Sequence, residues 1–430
     1  MRIMSSSVPA AQTPRLSAAV ALRVFVPFAA GYFLSYIFRT VNSVIAPNLV
    51  ADTGLDAADL GLLTSAFFLA FALAQLPLGL FLDRFGPRRV EMMLLAFAAA
   101  GCLLFAWGEG LAGLSVGRAL IGLGVSACMM ASFKAFVMWF APQRLPMVNG
   151  CLLAVGATGA LAATAPVEWI LGFTDWRALF WGLAAFTGVI ALTVYGVVPE
   201  HPEPPLHVGL RSQLRGLRSI FRDPFFWRVT PLSMLSQAAF LAVQGLWAGP
   251  WLRDVAGLGR MAVANQLLAM SAAIVAGFMG WGLLADRLSR RGVRPLTLAG
   301  AGMSGFLVVQ WLLVWGPSGW ALPLWVGFGL LGTSGTLPYA VLSQAFHGQL
   351  AGRVNTALNL MVFIAAFATQ WGMGAVIHWW EDPVTHTYAT TGYRVSFGVL
   401  AVMQVLALAW FLLPGGSARR RGVTDVSDLA

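Results

Sequence analysis

The sequence predicts an all-α integral membrane protein with twelve transmembrane helices in two sets of six. Three observations carry that reading. Of 430 residues 58% are hydrophobic and 10% charged, whereas soluble domains carry about 25% charged residues. The apolar residues form runs of about 20, the length that crosses a ~30 Å hydrocarbon core. The basic residues, finally, gather in alternate loops instead of forming one basic face.

Apolar runs bounded by charges or by Gly and Pro predict helices near 22–50, 58–82, 90–108, 112–140, 146–173 and 176–198, then near 228–252, 264–285, 295–316, 319–346, 354–380 and 393–413. Between the sets, 199–227 opens on Pro199, Pro202, Pro204 and Pro205. It continues with Arg211, Arg215, Arg218 and Arg222 at helical spacing, an amphipathic segment suited to a membrane surface. The expected organisation is a tail at 1–21, a bundle at 22–198, a linker at 199–227, a second bundle at 228–413 and a tail at 414–430. The arginines before the first apolar run are not followed by a small-residue cleavage site, so a retained first helix is expected there.

With an even number of spans both termini share a side. The loops on that side hold 21 basic residues and the opposite loops four, Arg177, Arg253, Arg260 and Arg394. The positive-inside rule then places both termini in the cytoplasm, in a cell inner membrane. The net charge of +10 therefore reports topology and contact with anionic lipid, not nucleic-acid binding. Cys102, Cys128 and Cys151 all lie in apolar runs, where buried free thiols are expected. No metal-ligand cluster, phosphate loop or nucleophile–base spacing occurs, so neither an enzyme nor a cofactor is expected.

An internal repeat narrows the reading. Gly79-Leu80-Phe81-Leu82-Asp83-Arg84 ends the second helix and is followed by Arg88-Arg89; Gly282-Leu283-Leu284-Ala285-Asp286-Arg287 ends the eighth and is followed by Arg290-Arg291. Both are G-x-x-x-D-R plus a basic pair on the same predicted face. Glycine permits close helix approach, and Asp among Arg forms a charge network suited to a gate. This element resembles the duplicated loop motif of the major facilitator superfamily, and the resemblance runs the length of the chain. Arg118-x-x-x-Gly122-x-Gly124 in helix 4 and Asp175-Trp176-Arg177 before helix 6 are similar to further landmarks of that family, with Arg118, Gly122 and Gly124 in structural roles. The resemblance implies a monomeric secondary transporter, its two six-helix bundles related by pseudo-two-fold symmetry and rocking about a midplane site.

Arg39 is the charge that topology does not explain, because a cation inside a span faces a cavity or a partner. Tyr32, Tyr36, Arg39 and Ser43 recur on one helical face, with Asn42 beside them. A guanidinium offers a fork of donors suited to carboxylate or phosphate. The string Tyr36-Ile37-Phe38-Arg39-Thr40-Val41-Asn42-Ser43 resembles helix 1 of the organic-anion branch of the family, in which an Asp-Arg pair is usual. Phe38 stands at that Asp position, and Val125 stands where helix 4 of that branch often has Glu. The resemblance implies anion binding at Arg39, while the two absent carboxylates point to uniport or exchange; Glu168 and His347 are the remaining titratable candidates. In the second half Ser233, Gln237, Gln244, Trp247 and Trp251 line helix 7, Thr336, Tyr339, Ser343 and His347 line helix 10, and Asn355, Asn359 and Gln370 line helix 11.

The leading expectation is alternating-access transport of a small organic anion such as a carboxylate. Arg39, Tyr32, Tyr36, Asn42, Ser43, Gln237, Gln244, Trp247, Tyr339, Ser343 and Asn359 are the candidate substrate contacts. Gly79, Asp83, Arg84, Arg88, Gly282, Asp286, Arg287 and Arg290 are the gating set. Efflux of amphipathic or aromatic compounds is the second reading, since many Trp, Phe and Met residues suit a pliable pocket. A non-transporting sensor or scaffold is the third.

Overall fold

The computed structural model of the protein describes residues 18–141, 144–200, 217–346, 350–381 and 388–413. Among these, regular structure is helical throughout, apart from one isolated bridge between Glu381 and Tyr388. Helix α1 runs Ala18–Thr40 and resumes after Val41 as Asn42–Thr53. The helical run Ala57–Trp107 divides at Gly86 (φ +79°) into α2 and α3. Helix α4 comprises Leu111–Val125 and Cys128–Trp139, α5 comprises Leu145–Ala162 and Ala165–Leu171, and α6 spans Trp176–Val197. In the second half α7 (Pro224–Asp254) contains a π-helical turn at Val243–Trp247. Helices α8 (Arg260–Ser289) and α9 (Pro295–Trp315) follow. Helix α10 is broken, Ala321–Gly332 and Leu337–Ala345 being joined by a 3₁₀ turn at Thr333–Thr336. Helices α11 (Leu350–His378) and α12 (Thr390–Leu412) complete the fold.

Among the described residues ten stretches are long and apolar enough to cross a membrane. One of them is the divided run α2–α3, and the broken α10 is a further helix outside the ten, so the all-α membrane fold holds and twelve passes are consistent with it. Polar side chains set the helix starts. The Asp56 carboxylate accepts from Asp59 N (2.8 Å), Asp175 from Ala178 N (2.7 Å) and Asp223 from Phe225 N (2.8 Å), each satisfying a backbone donor the helix leaves open. Outward-facing apolar residues such as Leu192, Leu406 and Met279 are more than half exposed, a surface that only hydrocarbon can solvate. Trp107, Trp169, Trp315 and Trp379 sit exposed at helix ends, as an interfacial aromatic belt requires.

Two details differ from the sequence reading. The charged stretch between helices 2 and 3 stays helical except at Gly86: Arg84 and Arg89 extend into solvent and leave the backbone ladder undisturbed. Cys151 is exposed while Cys102 and Cys128 are buried, because hydropathy alone does not distinguish the lipid face of a helix from its packed face. Of the linker, residues 201–216, including Arg211 and Arg215, lie outside the described residues, as do the predicted tails apart from 18–21.

Small residues let the helices meet. A Cβ on Gly101 would stand 2.7 Å from Ile121 N, one on Gly122 would strike the Phe67 carbonyl, and one on Gly124 would strike the Ala98 backbone. Residues Arg118, Gly122 and Gly124 thus lie on the face by which α4 presses against α2 and α3. Gly277 and Gly329 perform the same task between α8 and α10, against Leu330 O and Met270 O. Contacts between the halves concentrate on the face opposite the terminal residues Ala18 and Leu413, here called the far face. There the outer parts of α1, α2 and α5 meet those of α7, α8 and α11.

Gly124→Val is expected to cost about 1–3 kcal/mol by overpacking, whereas Gly182→Ala, where a Cβ meets nothing within 4 Å, is neutral. Size-exclusion profiles and thermal denaturation of the two variants in detergent check this; equal stability contradicts it.

Candidate substrate site

Arg39 lies near the break in α1 with its guanidinium inside an aromatic cage. Its carbon is 5.2 Å from the Tyr36 ring centre, 5.0 Å from Phe71 and 5.4 Å from Phe363. Phe71 of α2 and Phe363 of α11 stack at 4.1 Å, so the cage joins the two halves. Ring faces attract a cation by about 0.5–2 kcal/mol each, yet accept none of its N–H hydrogens in conventional hydrogen bonds. Among the described residues Arg39 forms no ion pair, and its buried Nε has no hydrogen-bond partner. The cage therefore holds the guanidinium in place and leaves its donors unused.

Tyr32 and Tyr36 pack edge to face at 5.2 Å. The Tyr32 hydroxyl reaches Met129 Sδ at 3.7 Å, and Gly156 of α5 packs against the Tyr32 ring. Tyr32 and Tyr339 both lie close enough to Arg39 to feel its charge, and the Tyr339 hydroxyl donates to Asn359 Oδ1 at 3.1 Å. The geometry thus groups Arg39, Tyr32, Tyr36, Tyr339 and Asn359. Gln237 instead donates to Gly332 O at 3.4 Å within the second half. Ser343 is half-buried with no hydrogen bond among the described residues, and His347 lies outside them.

Just beyond the cage on the far face the halves are sealed. Ser43 Oγ donates to Gln244 O at 2.6 Å, Gly245 packs on Arg39 O, and Gly249 packs on Ser43 O. Pro47 cannot donate to Ser43 O within α1, so that carbonyl is free to meet α7. Trp247 Nε1 donates to Gln370 O at 3.1 Å, and Gln370 Nε2 donates to Thr64 Oγ1. Gln244 and Trp247 are thus placed in the seal, and Asn42 is buried beside it with its amide unpartnered. Farther out, Arg260 bridges Glu168 (3.0 Å) and Asn48 (2.6 Å), Ala57 N donates to the Tyr388 hydroxyl at 2.8 Å, and His378 approaches Asp56 at 3.7 Å. Burial pushes the Tyr388 phenol up to about 12, so it stays protonated at any physiological pH.

The residues expected to gate occupy the other face and keep to their own halves among the described residues. Asp83 pairs with Lys134, Arg88 donates to Tyr195 O and approaches Glu200, and Asp286 pairs with Arg290 at 2.9 Å. Arg84 lies over Phe85 at 5.3 Å, and Arg287 is exposed. Gly79 and Gly282 are exposed, and a Cβ on Gly282 would meet nothing. Arg118 is a more deeply buried cation, 2% exposed. It donates to Phe38 O at 3.0 Å and stacks over Phe67, bracing α1 next to its break.

The sequence reading missed Phe71 and Phe363 of the cage, Thr64 of the seal and one buried carboxyl. Glu91 of α3 is fully buried, and neither carboxylate oxygen has a hydrogen-bond partner among the described residues. It follows Arg88-Arg89 so closely that it reads as a loop charge. The available signal was a lone acid at the start of an otherwise apolar run. Glu168, by contrast, is held by Arg260 at the far face.

A helical membrane protein closed between its halves on one face, with a cation that has no ion pair among the described residues behind the closure, has the build of a transporter. A family model described as Major Facilitator Superfamily matches residues 28–369, and the chain belongs to that family. The probable sulfoacetate transporter SauU of Cupriavidus necator is 29% identical over 154 residues, 36% of each chain. The chloramphenicol resistance protein of Streptomyces lividans is 31% identical over 278 residues, 62% of this chain and 66% of that one. The matches to the first curated relatives span 34%, 36% and 22% of their lengths. A bacterial homologue of the human lysosomal transporter Spinster, crystallised inward-facing and occupied, superposes with a TM-score of 0.74 over 92% of this chain and 97% of that one at 17% identity.

Tyr388→Phe removes the hydrogen bond to Ala57 N, worth about 1 kcal/mol, and is expected to lower the ratio of far-face-sealed to far-face-open molecules about fivefold. Spin-label distances between Glu109 and Pro317, both exposed on far-face loops, check this; an unchanged distribution contradicts it.

Proposed function

We propose that the protein carries a small organic anion, such as a carboxylate or sulfonate, across the cell inner membrane by alternating access, acting as a monomer with both termini in the cytoplasm. The observation that carries this reading is Arg39, a cation caged by three rings and offering unused donors at the junction of the halves. An anionic head group supplies the acceptors the cage lacks, in charge-assisted, bidentate geometry. Tyr36, Tyr32, Tyr339 and Asn359 surround the bound anion. Asn42, Ser43, Gln244 and Trp247 act on the far side, where they close the site, while Gln237 and Ser343 support the second half of the wall.

The rocking motion breaks the Ser43–Gln244 and Ala57–Tyr388 hydrogen bonds and brings the two G-x-x-x-D-R elements together across the terminal face. There Asp83 and Asp286, with Arg84, Arg88, Arg287 and Arg290, hold that face shut in the opposite state. The similarity to a relative named for sulfoacetate supports an anionic cargo. The similarity to a chloramphenicol resistance protein supports efflux of a neutral aromatic, but such a cargo leaves the Arg39 donors unanswered.

The test compares sulfoacetate, benzoate and chloramphenicol for binding to purified protein and for uptake into proteoliposomes. Arg39→Ala is expected to weaken binding of the preferred anion about 10- to 150-fold, the range of a hydrogen bond to a charged group at ~1.5–3 kcal/mol, with Arg39→Lys intermediate. Unchanged anion affinity in Arg39→Ala, or preference for chloramphenicol, contradicts the reading.

A further inference from the structure

Three cavities on the far face share Pro47 of α1, and Arg177, Arg253 and Arg260, three of the four arginines on that face, line them. Arg177 is tied to Asp52 and to Gly108 O within the first half, and Arg253 forks onto the neighbouring Asp254 at 2.6 and 3.1 Å. Of the three only Arg260 reaches across the halves, from the start of α8 to Glu168 on α5 and Asn48 on α1. The cavity that Arg260 and Glu168 border together encloses about 230 Å³. Its floor includes Ser43 and Gly249, which make the seal. Its mouth is Arg260, whose side chain is 54% exposed. Ser43 is four residues from Arg39, about 6 Å along α1, so this cavity stands directly outside the cage.

Two features fit it to a small organic anion. Glu168 takes only the Nε–H of Arg260, at 3.0 Å, while Nη2 serves Asn48, and Asp254 occupies Nε and Nη2 of Arg253. Nη1 of each guanidinium takes part in none of these bonds, and both arginines line the one cavity. The rest of the wall is largely hydrocarbon, with Val44, Val263, Ala264 and Leu267, which suits the body of a short carboxylate. The Glu168 side chain is 11% exposed, so the protein already presents a carboxylate to Arg260 where a dissolved one would come to rest. An ion pair with one member half exposed is weak, and a dissolved anion competes with it.

We propose that this cavity is an outer binding site for the cargo, with Arg260 as its anchor and Glu168 as a built-in stand-in for the cargo's carboxylate. An anion arriving from the far side displaces Glu168 from Arg260. That displacement removes the ion pair joining α5 to α8 and leaves the anion one helical turn from the cage. Once the anion has moved on to Arg39, Glu168 returns to Arg260 and refastens the halves behind it. This rests on the reading of the cargo as an anion and adds a second place where it is held.

The test applies labelled sulfoacetate to the far side of oriented proteoliposomes at low ionic strength, where exposed charges are least screened. Glu168→Gln and Arg260→Gln remove the same ion pair, so a mere latch predicts the same change in both. On the proposal the changes are opposite. Glu168→Gln is expected to lower the far-side KM about threefold by removing a competitor, and Arg260→Gln to raise it about tenfold by removing a charged donor, with Arg260→Lys between wild type and Arg260→Gln. In calorimetric titrations of purified Arg39→Ala, a residual anion site is expected that Glu168→Gln tightens and Arg260→Gln abolishes. KM shifts of the same sign in the two Gln variants, or binding of neither sulfoacetate nor benzoate to Glu168→Gln, overturn the outer site. Opposite shifts alongside an Arg39→Ala variant of unchanged affinity support the outer site and count against the central anchor alone.

Discussion

A guanidinium held inside a membrane bundle by ring faces alone is electrostatically unfinished, and much of the architecture follows from how Arg39 is kept in that condition. Two of its three rings belong to the first half and one to the second, so the cage forms only where the halves meet. A carboxylate partner from the protein would satisfy the charge permanently. At the adjacent position stands Phe38, which is fully buried and whose carbonyl is engaged by Arg118. On the proposed function, that leaves the cation to the anion that is carried.

The backbone around it is irregular in a regular way. Helices α1, α4, α7 and α10 are interrupted at Val41, at Ser126–Ala127, at Val243–Trp247 and at Thr333–Thr336, one break in each first member of a helix triplet; α5, interrupted at Ala163–Thr164, stands outside this pattern. The chain there keeps right-handed helical angles, loosened to a π turn in α7 and tightened to a 3₁₀ turn in α10, and Val41, Ser126, Ala127, Val243, Gln244, Thr333 and Ser334 are all buried, so the breaks lie inside the molecule. Some of them also shape the seal. The π turn of α7 presents Gln244 O to Ser43, and the carbonyl freed by Pro47 lets Gly249 close on α1. A seal made of a few hydrogen bonds and close glycine contacts is worth a few kcal/mol, a scale that solute binding can overcome.

The fold was largely legible because hydrocarbon enforces it: twelve passes, the duplicated G-x-x-x-D-R element and the intramembrane Arg39 all stand in the residue string. The cage was only half legible, since Tyr36 shares a helix with Arg39 whereas Phe71 and Phe363 arrive from α2 and α11. Polar stripes were ambiguous for a physical reason. Gln237 and Gln370 look alike in sequence, yet one binds Gly332 inside its own half and the other bridges to Thr64. Glu91 was hidden by its arginine neighbours: depth in the bilayer depends on where a helix begins, and α3 continues from α2 with only Gly86 between them.

The central claim is that the caged guanidinium holds the anionic group of the cargo. The most direct measurement is a crystal structure with a bromine-substituted short carboxylate, located by anomalous scattering. Density is expected beside the cage, with the carboxylate within hydrogen-bond distance of the Arg39 guanidinium and the bromine directed toward Tyr339 and Asn359. Density confined to another part of the molecule, with Arg39 still unpartnered, would contradict it.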